Sequence, residues 1–499
     1  MKKILSLVSL AFLLLLAACS ADSGDKAEGN DSVKADVSSK ETKKEVALTG
    51  KLTLDHSEGR IGDQVALSAD SLKSNEPLTV VWSDMVGSFA LEENYSFIGS
   101  TYEPADKELL TDTADADGKW EGTITIPDGF GDDHDIMIYQ NEQLVAKANY
   151  FVETVFTMEP ESGPIGSEIT ITGEGLSWKM YGSLWHLNYD NKYMGMITGV
   201  STNGKATAVI RAAGGVGDHT MTVEGGSSGL PYLNRSDSSI NYIHTQRFTF
   251  TITDDKPEVP LAYVEDAPEP AGGGIKLPNA SMKDGVSVTI DKDSGIVGED
   301  VVLKGSGLPA NETVTFDWHT MVGDRVSSAG YGEKILPLGD GEVKTDGNGE
   351  FSYPFVVPED LGGIPHLIDV KVKDEIYGQA YFRILPSIAS IEPASGPVGT
   401  EITVTIQGSG WTEFDNAMAI TYDNANVGYI CAFHNQGTVD LKLVASGEAG
   451  YHLIDVYPSI YKGQQIQPNL YLNPQLTYRT DHPGTGIPAL RMLFEVTEN

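Results

Sequence analysis

Apolar and polar residues alternate along many short segments of the chain. Residues 168–172 (Glu-Ile-Thr-Ile-Thr) and 401–405 (Glu-Ile-Thr-Val-Thr) show the pattern clearly. A period of two is typical of a β-strand that buries one face. After the first twenty residues, no stretch keeps the 3.6-residue period of a helix over three turns. The pattern therefore predicts strands throughout the chain.

Turn-forming residues separate these segments at short intervals. Residues 115–118 (Asp-Ala-Asp-Gly) and 346–349 (Asp-Gly-Asn-Gly) lie between strand-like runs. Gly, Asn and Asp readily adopt the positive φ that a hairpin turn needs, so we expect a hairpin at each place. Short strands with frequent turns, in units of roughly 100 residues, are typical of β-sandwiches.

The chain repeats itself at a nearly constant spacing. Trp82 and Trp318 begin matching segments 236 residues apart, and we expect both indoles to lie in sandwich cores. Residues 159–166 match residues 392–399 at a spacing of 233, as His219 matches His452. A shared register over so many positions indicates a tandem duplication of a two-domain unit, A-B-A′-B′.

Two glycine- and proline-rich turns carry a family resemblance. Residues 160–166 (Pro-Glu-Ser-Gly-Pro-Ile-Gly) and 393–399 (Pro-Ala-Ser-Gly-Pro-Val-Gly) each precede an alternating strand and a second glycine turn. This order resembles the start of an IPT/TIG domain, and the A units resemble bacterial Ig-like domains more loosely. The resemblance implies Ig-like sandwiches that serve as modules of surface and binding proteins, without enzymatic activity. The predicted fold is all-β, with four tandem immunoglobulin-like β-sandwich domains.

The N-terminus has the pattern of an export signal. Lys2 and Lys3 precede an apolar run over residues 4–16, and Leu-Ala-Ala-Cys ends at Cys19. The run is shorter than the roughly 20 apolar residues of a membrane-spanning helix. Leu-Ala-Ala-Cys resembles a bacterial lipobox, which implies that Cys19 is acylated and becomes the mature N-terminus. An ordinary secretory signal is the alternative. We expect a membrane-anchored lipoprotein on the extracytoplasmic side of a bacterial cell envelope.

The composition along the chain predicts the following organisation. A polar tether should be flexible because it has few apolar residues to bury, and the proline- and glycine-rich linker should be mobile. We expect the halves on either side of that linker to fold independently. The predicted segments are a signal peptide (1–18), the lipidated Cys19 with a disordered tether (19–47), domain A (48–154), domain B (155–252), the linker (253–284), domain A′ (285–386) and domain B′ (387–499).

The charge of the chain excludes one class of partner. There are 34 Lys and Arg against 71 Asp and Glu, which gives a net charge of −37. Such a chain repels phosphate backbones, so we expect no nucleic acid partner. Membrane association should come from the acyl anchor. The acidity itself is explained by solubility and by spacing from an anionic envelope, with cation binding as the alternative.

Local motifs for catalysis or metal binding are weak. The ten histidines are dispersed, and we expect no metal site and no cofactor. Residues 225–229 satisfy Gly-x-Ser-x-Gly, but that motif needs a strand-turn-helix elbow and here lies in a β context. Residues 112–118 could suggest calcium, although a plain hairpin explains them. Cys431 is expected to be a buried strand thiol.

Histidines and aromatic residues offer the remaining candidates. We expect His134, His219, His366 and His452, which occupy similar places in their domains, to be partly exposed turn residues that bond backbone. Trp185, Leu187 and Tyr189 alternate and should line one face of a strand. Trp178 and Tyr181 lie in a longer connection and are the candidate ligand contacts.

These observations leave two classes of function. The first is a non-catalytic envelope lipoprotein whose Ig-like modules serve adhesion or bind a surface protein or matrix ligand. The second is a surface lipoprotein that captures polysaccharide through exposed aromatic rings. A hydrolase is a more distant alternative, because it would need a deep pocket with converging carboxylates.

Overall fold

A computed structural model of the chain shows strands from residue 51 to residue 497. It describes residues 48–92, 95–179, 182–226, 230–237, 245–256, 260–266, 275–323, 331–432, 436–460, 472–484 and 486–498. Cys19, the signal and the tether lie outside the described residues, as does Tyr181. In the part described, no helix is long and apolar enough to cross a membrane.

Strands form where the sequence alternates, because every second side chain then enters the core. The segment predicted at 168–172 is a strand over Glu168–Glu174, and the one at 401–405 is a strand over Glu401–Gln407. In both strands the isoleucines and valine are buried, and the intervening side chains are more exposed. The prediction of an all-β chain with Ig-like modules is confirmed.

In the first two predicted domains, the described residues form eighteen strands. Those of A are β1 (Lys51–Leu54), β2 (Glu58–Gly59), β3 (Gln64–Asp70), β4 (Pro77–Trp82), β5 (Met85–Leu91), β6 (Phe97–Pro104), β7 (Lys107–Thr113), β8 (Trp120–Thr125), β9 (Asp132–Gln140) and β10 (Gln143–Val152). Those of B are β11 (Val155–Glu159), β12 (Ser162–Gly163), β13 (Glu168–Glu174), β14 (Leu184–Tyr189), β15 (Lys192–Thr198), β16 (Ala206–Arg211), β17 (Gly217–Gly226) and β18 (Thr245–Ile252), with a 3-10 helix at Arg235–Asp237.

The rest of the chain continues in the same way. The predicted linker contains β19 (Ala262–Val264). A′ contains β20 (Ser287–Ile290), β21 (Ser294–Gly295), β22 (Asp300–Ser306), β23 (Thr313–Gly323), β24 (Tyr331–Lys344), β25 (Phe351–Val356), β26 (His366–Val372) and β27 (Glu375–Ile384). B′ contains β28 (Ser387–Glu392), β29 (Ser395–Pro397), β30 (Glu401–Gln407), β31 (Ala417–Tyr422), β32 (Ala425–Cys431), β33 (Val439–Val444), β34 (Gly450–Ser459) and β35 (Leu490–Thr497).

The same pair of sheets recurs in A, B, A′ and B′. One sheet has three strands, in the order β1-β3-β8 in A, and the other is larger, in the order β2-β10-β9-β4-β7. In each module a two- or three-residue strand pairs in parallel with the last strand, as β2 does with β10 and β29 with β35. Between the sheets lies an apolar core, which includes Trp82 in A and Trp318 in A′, as predicted.

The turns at 115–118 and 346–349 correct one prediction. Each connects a strand of the larger sheet to a strand of the three-stranded sheet, so neither closes a hairpin. Asp115 accepts hydrogen bonds from the backbone N–H of Asp117 and Lys119, and Asp346 accepts the corresponding bonds from Asn348 and Glu350. The carboxylates therefore cap a turn between sheets, and within the described residues no cluster could hold a metal ion.

The linker between B and A′ is also partly ordered, which corrects the expectation of a mobile segment. Its strand β19 pairs antiparallel with β35, the last strand of B′. At its other end, Ser281 donates its backbone N–H to Gln379, and Lys283 to the carbonyl of Tyr377. Backbone groups that find partners in a sheet lose the freedom that a linker needs. The linker is thus hydrogen-bonded to B′ near its start and to A′ near its end.

The halves also share cores, so they are not separate bodies. The core of B includes Tyr457, Leu476 and Ala489, which come from B′. A further cluster joins Phe89 and Phe97 of the β5–β6 hairpin to side chains of B and B′. Residues 48–499 form one compact unit. These shared cores argue against the expectation that the halves on either side of the linker fold independently.

Candidate functional site

The connection between β13 and β14 brings the predicted contact residue Trp178 to the junction of A and B. Its ring packs edge to face on Phe130 and His134, with centroids 6.3 and 5.0 Å away. Lys179 lies 5.5 Å above the ring. Packing between modules thus accounts for much of the Trp178 surface. Its role as a ligand contact stays a prediction, and Tyr181 lies outside the described residues.

A buried carboxylate fixes the loop beside Trp178. Asp132, at the start of β9, is only 5% exposed and has a φ of 85°. It binds the Lys179 ammonium at 2.5 Å and accepts a 2.9 Å hydrogen bond from the Ser177 hydroxyl. Burial raises the pKa of Asp132, but the Lys179 and Ser177 contacts outweigh it and the net shift is downward. The loop of B is therefore held to A by an ionised aspartate.

Next to this contact, the A–B junction opens into a cleft of about 540 Å³. We name it the A–B cleft. A volume of this size lies within the range of ligand sites. Its lining comes from both modules and from the segment between them, and consists of Glu58, Arg60, Asp132, Phe151, Glu153, Thr154, Val155, Ser177, Gly182, Trp185 and Gln246.

The cleft has a rigid frame. Gln246 accepts a hydrogen bond from the backbone N–H of Phe156 and donates one to the carbonyl of Thr154, which holds the A–B connection against β18. The indole N–H of Trp185 donates to the carbonyl of Gly182. Trp185, Leu187 and Tyr189 lie in the core of B, as their alternation predicted. The walls of the cleft therefore rest on packed side chains.

The cleft is more acidic than basic. Three carboxylates, on Glu58, Asp132 and Glu153, line it beside the single guanidinium of Arg60. Arg60 lies 3.5 Å from Glu153, and since both side chains are well exposed this pair is weak. The site therefore favours a cationic ligand.

The four repeated histidines have structural roles. His134 and His366 bond backbone carbonyls through both ring nitrogens and stack on Trp82 and Trp318. They are 1% and 6% exposed, so the expectation of partial exposure is wrong for them because the indole covers one ring face.

In B and B′ the histidines pair with an aspartate that sequence reasoning had not linked to them. The His219 Nδ1 lies 2.6 Å from Asp190, and the His452 Nδ1 lies 2.6 Å from Asp423. Both Nε2 atoms bond a backbone carbonyl, as predicted. The hydrogen bond with Asp423 raises the pKa of His452, against an opposing effect of burial. Tyr-Asp-Asn occurs at residues 189–191 and again at 422–424, the same spacing of 233 as the two histidines, and this repeat was the available signal for the pairing.

The two remaining candidates, the Gly-x-Ser-x-Gly pattern and Cys431, form no catalytic arrangement within the described residues. Gly225 and Gly226 end β17, and the serines of the Gly-x-Ser-x-Gly pattern lie outside the described residues. Cys431 is the last residue of β32 and only partly buried, although burial raises the pKa of its thiol to about 12. A thiol with a raised pKa is a poor nucleophile near neutral pH.

Sequence reasoning missed a buried ionic cluster between B and B′. Arg211 and Asp455 are both fully buried and 2.5 Å apart. Arg491 also meets Asp455, at 3.2 Å, and donates to Glu265 of the linker. Arg491 further donates to the carbonyl of Val209 in B. This cluster, together with the shared cores, fixes B against B′ and so contributes to the rigidity of the frame that carries the A–B cleft.

Comparison with known proteins agrees with part of the predicted family resemblance. The IPT/TIG domain family matches residues 386–459, which lie in B′. No curated protein matches the chain. The chain thus contains an IPT/TIG domain within an all-β, Ig-like framework.

The solved structures that match this chain have low sequence identity and low TM-scores. The native conformation of Escherichia coli alpha-2-macroglobulin is 8% identical, with a TM-score of 0.18, and the alignment covers 83% of this chain and 30% of that one. The ICAM-5 D1–D4 ectodomain fragment is 11% identical, with a TM-score of 0.17, over 86% of this chain and 99% of that one. A putative membrane anchored protein from Corynebacterium diphtheriae is 12% identical, with a TM-score of 0.17, over 67% and 89%. Scores this low carry no argument about function.

Proposed function

We propose that this chain is a non-catalytic lipoprotein of the bacterial cell envelope that binds a surface protein or matrix ligand. In this proposal Cys19 carries the lipid anchor, and residues 19–47 separate the folded modules from the membrane. The IPT/TIG domain and its Ig-like neighbours support a binding or adhesion module. The Leu-Ala-Ala-Cys sequence supports the anchor.

The observation that carries the proposal is the A–B cleft. Two modules meet around the cleft in a fixed arrangement, and ligand-binding sites are often found at such interfaces between domains. Its described lining offers carboxylates, a guanidinium and aromatic faces for recognition. The hydroxyl of Ser177 donates to Asp132, and both ring nitrogens of nearby His134 bond backbone carbonyls. Ser177 and His134 therefore do not form a pair of nucleophile and general base. The cleft is therefore suited to binding.

Binding of the purified full chain to envelope preparations tests this function. The full chain would be labelled in mild detergent and added to envelopes from cells that lack it. We expect saturable binding that is lost after the envelopes are treated with protease and kept after periodate oxidation of their glycans. Loss after periodate but not after protease would instead support the polysaccharide-binding alternative.

A turnover assay tests the non-catalytic part. The full chain would be incubated with envelope peptides and polysaccharides, and the products separated by mass. We expect no cleavage above that of a heat-denatured sample. Turnover that a single carboxylate replacement abolishes would contradict the proposal.

A further inference from the structure

The A–B and A′–B′ junctions can be compared residue by residue through their strand register. Phe151 pairs with Glu58 at the edge of A, and Arg383 pairs with Ser294 at the same place in A′. Phe151 and Arg383 therefore occupy equivalent positions in the last strand of each module.

The residues that face this position also correspond. A Cβ added to Gly131 would lie 1.9 Å from the carbonyl oxygen of Gly175, and one added to Gly362 would lie 2.0 Å from that of Gly408. The two glycines are thus equivalent, and so are the residues that follow them, Asp132 and Gly363. Those residues have φ values of 85° and 80°, which confirms the match.

Beside these residues each junction holds a buried aspartate, and the two aspartates come from opposite sides of their junctions. In A–B it is Asp132, from the A module. In A′–B′ it is Asp415, from B′, whose Oδ2 lies 2.0 Å from the place of a Cβ on Gly363. The Asp415 carboxylate therefore lies where a side chain on Gly363, the counterpart of Asp132, would begin.

The junctions differ in what surrounds that carboxylate. In A′–B′ the Arg383 guanidinium donates to the carbonyl of Gly363 at 3.1 Å and to that of Gly486 at 2.7 Å. Burial lowers the pKa of Arg383, against an opposing effect of the nearby Asp415. In A–B the equivalent residue is Phe151, and the cleft lies beside it.

We propose that the A–B cleft binds an arginine side chain on a basic segment of the partner protein, much as the A′–B′ junction holds its own Arg383. This rests on the proposed function and names the chemistry of its ligand. Carboxylates bind guanidinium groups in a bidentate manner, and Glu153 already accepts Arg60 across an exposed, weak pair that a ligand can displace. The net charge of −37 attracts a basic segment from a distance.

Peptide binding to the full chain in mild detergent tests this inference. The probes are three fluorescent decapeptides that are identical except for Arg, Lys or Gln at the central position. We expect the Arg peptide to bind most tightly and the Gln peptide about tenfold more weakly, because charge-assisted hydrogen bonds are lost. The affinity for the Arg peptide should fall as salt is added.

Two sets of variants locate the site. Glu58→Gln combined with Glu153→Gln should weaken binding of the Arg peptide about tenfold, whereas Glu121→Gln, an exposed carboxylate on β8, should not. Phe151→Arg should also weaken it about tenfold because its own guanidinium occupies the cleft. Ser68→Arg, which adds the same charge on the exposed side of β3 away from the cleft, should bind as the native chain does. Circular dichroism would confirm that each variant is folded.

The outcomes separate this inference from the proposed function. Equal affinity for the Arg and Gln peptides, or native affinity in folded Phe151→Arg, would overturn the arginine site. If envelope binding then persists and remains sensitive to protease, the chain is a binding protein that uses another surface.

Discussion

Arg211 and Asp455 come from opposite halves of the chain and form an ion pair with neither side chain exposed to solvent. Arg211 also donates to the carbonyl of Met492, at 2.7 Å, and Asn424 donates to the carbonyl of Arg211. Charges buried in this way are stable only while their partners remain in place. B and B′ therefore form a continuous structure, and neither half presents this surface to water.

Removal of one member of this pair should destabilise the folded chain strongly. We expect Asp455→Asn to lower the free energy of unfolding by ~3–5 kcal/mol, because it leaves the guanidinium of Arg211 buried without its counterion and removes one of the two carboxylates that Arg491 contacts. Urea denaturation of the full chain measures this change. Glu401→Gln is the control, since its pair with Lys442 is 3.4 Å long and highly exposed. Equal effects of the two substitutions would show that the buried pair contributes no more than a surface one.

The same interface predicts that the halves remain together after the chain is cut. A specific protease site would be inserted after residue 270, in the predicted linker, and cleaved in the native protein. We expect the two fragments to elute together from a sizing column, because β19 pairs with β35 and the cores of B and B′ are shared. Separation of the fragments without denaturant would show that the contact between halves is weak.

His319 predicts a pH dependence of stability. Its ring nitrogens lie 2.7 Å from Glu333 and 3.0 Å from Asp369. Burial lowers the pKa of His319, but the two carboxylates outweigh it and the net shift is upward. A raised folded-state pKa gives stability that is complete below the unfolded value of about 6.5 and is lost as pH rises through the folded value.

Comparison of the native chain with His319→Gln tests that sign. The difference in the free energy of unfolding between them should be larger near pH 5.5 than near pH 8.5, where the imidazole is neutral in both states. Urea denaturation at the two pH values gives the difference. A difference that grows with pH would mean that His319 is stabilised in its neutral form.

Cys19 predicts the route of membrane attachment. Cys19→Ala should abolish acylation and leave the chain soluble or unprocessed, because a cysteine is needed to carry the lipid and stable anchoring takes two acyl signals. Cell fractionation with metabolic labelling by a palmitate analogue measures both effects. If the variant stays in the membrane fraction as the native chain does, the attachment is of another kind. Cys431→Ala is the matched control.

Local patterns predicted the strands and their core-facing side chains, because both follow from the order of apolar and polar residues within a short segment. Alternation at 168–172 placed a strand correctly, and the repeated Trp82 and Trp318 were placed in the cores. The turns at 115–118 and 346–349 were predicted as hairpins, since a turn residue does not reveal whether the next strand joins the same sheet.

The contact between B and B′ needed information that the local pattern lacks. Nearly every residue of β14 and β31 is buried, since one face enters the core of its module and the other meets neighbouring modules. The signal was the apolar run of residues 417–420 (Ala-Met-Ala-Ile) in β31, and the presence of Arg211 and Arg491 in apolar runs. An arginine in such a run indicates a buried ion pair but does not identify its partner.

The A–B cleft could not be predicted from local sequence patterns either, because its lining residues are far apart in the chain. It joins Glu58 and Arg60 to Gln246, which is 186 residues further along the chain than Arg60. The predicted contact Trp178 lies close in sequence to the lining residues Ser177 and Gly182, so the aromatic pattern indicated the right loop. It missed the carboxylates, because acidic residues are common throughout this chain.

Hydrogen exchange of the full chain, with and without the Arg decapeptide, tests whether the A–B cleft is the binding site. We expect slower exchange of backbone amides at residues 58–60 and 151–155 and around Gln246 when the peptide is bound, with no change in the three-stranded sheet of A′. Phe151→Arg should lose that protection. Peptide-induced protection confined to any other part of the chain, with residues 58–60 and 151–155 unchanged, would contradict it.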